Sequence, residues 1–78
     1  MSESVKDLSY TSHIDQDLRE VNLSGADLRR AIFDGADLEG ANLSGCDLRD
    51  ASLKRVNLTK VALDGADLRG AKMIKARL

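Results

Sequence analysis

The sequence predicts an all-β repeat fold, in which short extended segments joined by tight turns wind around one narrow core. Three observations carry this reading. Large apolar residues recur every five positions, at Leu18, Leu23, Leu28, Phe33, Leu38, Leu43, Leu48, Leu53, Leu58, Leu63, Leu68, Met73 and Leu78. Two places before each stands alanine, valine or Cys46, with Gln16 the one departure. Two places after the large residue fall all six glycines of the chain, Gly25, Gly35, Gly40, Gly45, Gly65 and Gly70.

Spacing of five is neither strict alternation nor a helical stripe of threes and fours. It is explained if the small and the large residue are alternate positions of one extended segment and both point inward. The residue between them and the residue after the large one then point outward. The fifth residue must turn the chain so that the next inward pair meets the same core. Glycine suits that junction because a turn with positive φ favours it.

In fives, Ala26 to Gly45 reads Ala-Asp-Leu-Arg-Arg, Ala-Ile-Phe-Asp-Gly, Ala-Asp-Leu-Glu-Gly, Ala-Asn-Leu-Ser-Gly. This pattern resembles the pentapeptide-repeat proteins, whose consensus is Ala-(Asp or Asn)-Leu and two variable residues, and it holds without insertion from Gln16 to Leu78. The resemblance implies a right-handed quadrilateral β-helix, a pentapeptide-repeat solenoid with four repeats per coil and about three coils. Coils spaced like neighbouring strands, ~4.8 Å apart, would stand ~15 Å tall.

Composition narrows the function classes. The chain has 78 residues, a net charge of −1, 32% charged residues and 3% aromatic ones. One small domain is the most it can form. The balance does not describe a strongly basic nucleic-acid binder, and base-stacking platforms are missing. Cys46 takes an alanine position and reads as a reduced, buried small residue. With no apolar run of membrane-span or signal-peptide length, a soluble, cytoplasmic protein without membrane contact is expected.

Residues twenty apart stack in such a solenoid, which sorts the outward side chains. One face aligns Asp27, Asp47 and Asp67 beside Arg29, Arg49 and Arg69, a charge ladder across coils that would set register. The next sets Lys54, Arg55, Lys72 and Lys75 against Asp34, a modest basic patch. A third is mixed, with Asp17, Arg19, Glu20, Asp37, Glu39, Lys60 and Arg77. The fourth is smooth and nearly uncharged, with Asn22, Ser24, Asn42, Ser44, Ala62 and Asp64.

The pattern falters before Gln16, where Thr11-Ser12-His13-Ile14-Asp15 would place His13 in the core. Residues 1–15 are therefore expected to be an irregular leader or N-terminal cap, with Leu8, Tyr10 or Ile14 folded over the first coil, and residues 16–78 the solenoid. At the other end Met73, Ile74 and Leu78 are expected to form an uncapped, apolar interface, because the final coil of a solenoid exposes its core and unpaired backbone groups.

No catalytic, cofactor-binding or metal constellation is present. A nucleophile needs a base beside it, and the only histidine lies in the expected leader. Transition metals want clusters of Cys and His, and no phosphate-cradling glycine loop occurs. The aspartate row could hold a hard cation, but each carboxylate has an arginine beside it. A non-enzymatic module is expected, presenting flat faces and its C-terminal coil to a protein partner or to a second copy as a homodimer.

The alternative comes from the resemblance. Some pentapeptide-repeat proteins, those similar to the quinolone-resistance proteins, imitate duplex DNA as inhibitors or protectors of DNA gyrase or another DNA-binding enzyme. A net charge of −1 and ~15 Å of height against a ~34 Å duplex turn weigh against that reading. Direct nucleic-acid binding through Lys54, Arg55, Lys72 and Lys75 would be weak and salt-sensitive, so nucleic acid is not the expected partner.

Overall fold

The computed structural model of the chain describes residues 6–78. In every pentapeptide three extended residues are followed by a two-residue turn, so the chain forms isolated parallel bridges instead of long strands. The partner lies twenty residues on: Asp7 with Asp27, Ser12 with Ile32, Asp17 with Asp37, Asn22 with Asn42, and so on to Asn57 with Arg77. These bridges make four ladders, named here the Asp7, Ser12, Asp17 and Asn22 ladders after their first residues.

Hydrogen bonds account for the backbone of each coil. The Leu28 N–H donates to the Asp47 carbonyl at 2.8 Å and the Asp47 N–H to the Ala26 carbonyl at 3.0 Å, which closes one bridge from both sides. The turn is closed by the Ala31 N–H donating to the Leu28 carbonyl at 3.0 Å. At the turn's second residue φ is positive throughout, including eight non-glycine residues such as Arg30 (59°) and Lys60 (62°). Left-handed backbone costs roughly 1–2 kcal/mol at a residue with a Cβ. It persists because it aims the Arg30 N–H at the Arg49 carbonyl, 3.0 Å away in the next coil.

The inward pairs fill the interior as the spacing requires. Ala26, Leu28, Ala31, Phe33 and their successors to Leu58 are buried, with no polar side chain among them. Leu8, Leu18 and Leu23 on one side, and Leu63, Leu68 and Met73 on the other, are partly buried against this cluster. Cys46 is buried, and its thiol donates to the Leu23 carbonyl at 2.9 Å. Burial pushes the thiol pKa up, so it behaves as a small core residue and not as a nucleophile.

The start of the repeat differs from the sequence expectation. Residues 1–5 of the expected leader lie outside the described residues, but Lys6 to Asp15 have the same extended-and-turn backbone and bridge pattern as the rest. His13 occupies the large-residue position and is accommodated: its ring stacks on Phe33, and its Nε2 and Nδ1 lie 2.7 Å from Thr11 Oγ1 and 3.2 Å from Gln16 Oε1. Leu8 packs on the core as a repeat residue. Tyr10 and Ile14 do not fold over the coil; they stand at turn positions and are exposed, Tyr10 with the Arg30 guanidinium 5.9 Å from its ring centre. Among the described residues no helix is long and apolar enough to cross a membrane.

Candidate interaction surface

Three ladders share a local device. Where the middle residue of the extended segment is Asp or Asn, its Oδ1 accepts the backbone N–H two residues on, at 3.0–3.2 Å from Ser9 through Arg69. Such a side chain caps the turn that follows it. This is the physical reason for the Asp or Asn in the repeat.

On the Asp7 ladder the carboxylates also hold arginines. Arg29 grips Asp27 through Nε (2.9 Å) and Nη2 (2.7 Å), and Arg49 and Arg69 grip Asp47 and Asp67 in the same way. The tight contact lies within one pentapeptide. Across coils the approach is looser, 3.9 Å from Arg29 to Asp47 and from Arg49 to Asp67. The six residues of the expected cross-coil ladder do stand beside one another, but their strong contacts run along the chain and not from coil to coil. Bonding from Arg29 and Arg69 lowers the carboxyl pKa of Asp27 and Asp67 to about 2. Asp17 and Arg19 form an equivalent pair that the sequence reading did not single out, with Asp17 also lowered to about 2. Carboxylates engaged in this way are not free to hold a cation, and among the described residues no cluster of His, Cys, Asp or Glu could hold a metal ion.

The Ser12 ladder is the exception. Its middle residues are Ser12, Ile32, Ser52 and Lys72, and none makes the capping bond. Asp34 substitutes in part: its Oδ1 accepts the Ser52 hydroxyl at 2.5 Å and the Lys54 N–H at 3.3 Å from the next coil. Beside this ladder stack Ile14, Asp34, Lys54 and Ile74, then at the turn Asp15, Gly35, Arg55 and Lys75. These two stacks line an open groove of about 510 Å³.

Ile14 and Ile74 line the groove, Ile32 stands on the ladder beside it, and all three isoleucines of the chain are exposed, Ile14 at 52%, Ile32 at 37% and Ile74 at 64%. Lys54, Arg55, Lys72 and Lys75, the expected basic patch, lie here too, and among the described residues none makes an ion pair. Of the other expected interface residues, Met73 is half-buried against the core and Leu78 is 80% exposed. Sequence reasoning missed Ile32, Ile14 and Asp15 as members of this surface. The signal was available: Ile14 and Ile74 are sixty residues apart, three turns of the twenty-residue register.

The chain matches the family described as Pentapeptide repeats, in eight copies over residues 15–50 and 51–78. Among solved structures it is similar to a pentapeptide-repeat protein, Rfr23, from the cyanobacterium Cyanothece 51142, with 33% identity and a TM-score of 0.90 over 95% of this chain and 51% of that one. It is also 33% identical to a pentapeptide-repeat protein of the Arabidopsis thaliana thylakoid lumen, over 91% of this chain and 60% of that one, with a TM-score of 0.45. The chain thus spans about half the length of Rfr23. None of the curated proteins matches it. The likeness to Rfr23 implies a right-handed β-helix.

Proposed function

The chain belongs to the pentapeptide-repeat family, and from that premise we propose that it is a four-sided solenoid of between three and four coils acting as a non-catalytic protein-binding module, with the isoleucine surface of the Ser12 ladder as its docking face. One observation carries the reading. The surface that lacks the capping Asp or Asn is the one on which apolar side chains and unpaired cations are collected. Isolated exposed apolar residues need no explanation, but all three isoleucines of the chain fall on one side of the solenoid, Ile32 on the ladder and Ile14 and Ile74 in the stack beside it, and apolar side chains gathered on one side mark interaction sites. Lysines and arginines around apolar contacts supply orientation and faster encounter with an acidic partner.

A duplex-mimicking action on a DNA-binding enzyme would need free rows of negative charge. The regular acidic row, on the Asp7 ladder, is occupied by Arg29, Arg49 and Arg69. That reading has no support from the geometry.

The test is site-specific photo-crosslinking in a cell extract of the source organism, with the photoreactive residue at Ser52 or, as control, at Ala62 on the Asn22 ladder. Discrete protein adducts from Ser52 and none from Ala62 are expected. No adduct at Ser52, with either another protein or a second copy, removes the binding reading.

A further inference from the structure

We infer that the isoleucine surface seats a second copy of this chain, laid face to face and antiparallel about a two-fold axis that lies between the Ile32 and Ser52 rungs. The inference rests on the protein-binding reading and names the partner. A two-fold contact is isologous, so the surface must be complementary to itself. With the axis in the plane of contact and across the solenoid, each stack of side chains meets its own copy upside down. Ile14 then faces Ile74 of the second copy, and Asp34 faces Lys54. At the turn Asp15 faces Lys75. At the preceding turn, where residues 10, 30, 50 and 70 stack, Arg30 faces Asp50.

In the stacks that flank the ladder every pair of charges this operation creates is of opposite sign, and Ile14 meets Ile74; on the ladder itself Ile32 meets Ser52 and Lys72 meets Ser12, and Arg55 meets Gly35, contacts without like charges. The charges are arranged for it: acids (Asp15, Asp34) in the half toward Lys6, bases (Lys54, Arg55, Lys72, Lys75) in the half toward Leu78. The Asp7 ladder shows the contrast. There the same operation sets Asp27 against Asp47 and Arg29 against Arg49, like against like. The Asn22 ladder offers no charge pattern to match. From Ile14 to Ile74 the surface spans three coil steps, ~14 Å. That is small for an interface, and the dimer should be weak.

Sedimentation equilibrium of the 78-residue chain up to about 1 mM tests this through a charge-swap cycle. Asp15→Lys and Lys75→Asp each turn two attractive contacts of the symmetric dimer into repulsive ones and should weaken it by about tenfold. The double variant Asp15→Lys/Lys75→Asp restores opposite signs and should return to within about threefold of the parent. Far-ultraviolet circular dichroism checks that each variant is folded.

Oxidative cross-linking in a Cys46→Ala background reads the register. A mixture of Ile14→Cys and Ile74→Cys chains should give a disulfide dimer, because the two positions oppose each other, whereas Ile14→Cys alone should not. A monomer at all concentrations, a double variant as weak as the singles, or equal cross-linking of Ile14→Cys with itself overturns the inference. A monomer that still yields a foreign adduct from Ser52 leaves the binding reading intact, so the two failures are distinguishable.

Discussion

The His13 imidazole lies on the Phe33 ring, centroids 5.0 Å apart and planes inclined by 20°. The two residues are twenty apart and hold the same large-residue position in successive coils. A polar ring has therefore replaced a leucine at one point of the inner stack without breaking it. Its nitrogens are served by Thr11 and Gln16, two polar residues at small-residue positions of their repeats.

The histidine is thus structural, and its replacement separates that role from a functional one. His13→Ala should lower stability by about 1–2 kcal/mol through loss of the stack and of partly buried area. His13→Leu should match or exceed the parent. Denaturant midpoints at constant slope give both values. A loss with leucine as large as with alanine would show that the ring's polar contacts, not its packing, hold the coil.

Core and surface apolar residues should respond in opposite ways. Leu48 is fully buried, and Leu48→Ala should cost about 2–5 kcal/mol. Ile32 is only partly covered, and Ile32→Ser should cost about 1 kcal/mol, well below Leu48→Ala, while reducing adduct formation from Ser52. A large stability loss at Ile32 would make it a packing residue and remove it from the docking face.

Much of the fold was legible because the core is one-dimensional. A strict period of five with two inward positions leaves a single way to bury Leu28, Phe33 and Leu38 together. The glycine column pointed to positive φ, and the structure has it at Gly25 (73°) and Gly35 (74°). What the pattern could not show is that Arg30, Arg55 and Lys60 accept the same backbone, since arginine and lysine, unlike the aspartate at position 50, carry no turn signal of their own. His13 was misjudged for a related reason: its fit depends on Phe33, Thr11 and Gln16 arriving together, which only the twenty-residue stacking provides. The docking surface is half legible: Ile74 stands out beside Met73, whereas Ile14 falls in the expected cap, and Ile32, which the register turns outward between Ala31 and Phe33, has no charge or neighbouring repeat that singles it out.

Two glycines with the same φ should differ in tolerance. A Cβ at Gly25 meets nothing within 4 Å, so Gly25→Ala should cost only its left-handed strain, about 1 kcal/mol. A Cβ at Gly35 runs into the Asp15 carboxylate, so Gly35→Ala should cost more, and Asp15→Ala in the same chain should bring the cost back to the Gly25 level. Failure of Asp15→Ala to relieve Gly35→Ala would mean that the coil spacing, not the side chain, sets the penalty.

Acid should loosen the arginine-held carboxylates in a defined window. In the folded chain Asp17, Asp27 and Asp67 have pKa values lowered to about 2 from an ordinary 3.8, each chiefly by side-chain bonding from the arginine two residues on. A carboxyl whose folded pKa is depressed stabilises the fold above its unfolded pKa and loses that contribution as pH falls through the folded one. Stability should therefore be level above about pH 5 and decline from about pH 4 to pH 2. Because the pairs are solvent-exposed, the decline should shrink in high salt. In Arg69→Gln the Asp67 carboxyl, followed by carbon-detected NMR titration, should move up toward 3.8. An unmoved value would place the cause elsewhere than in the pair.

The most direct measurement is a dilution series of backbone amide spectra from about 1 mM to about 10 μM, the range that brackets a weak interface. The account predicts concentration-dependent shifts gathered on the Ser12 ladder and its turns, at residues such as Ile14, Ile32, Lys54 and Lys75. Amides of the Asn22 ladder, Ser24 and Ser44 among them, should stay fixed. Shifts centred on the Asn22 or Asp7 ladder, or no shift anywhere over this range, would contradict it.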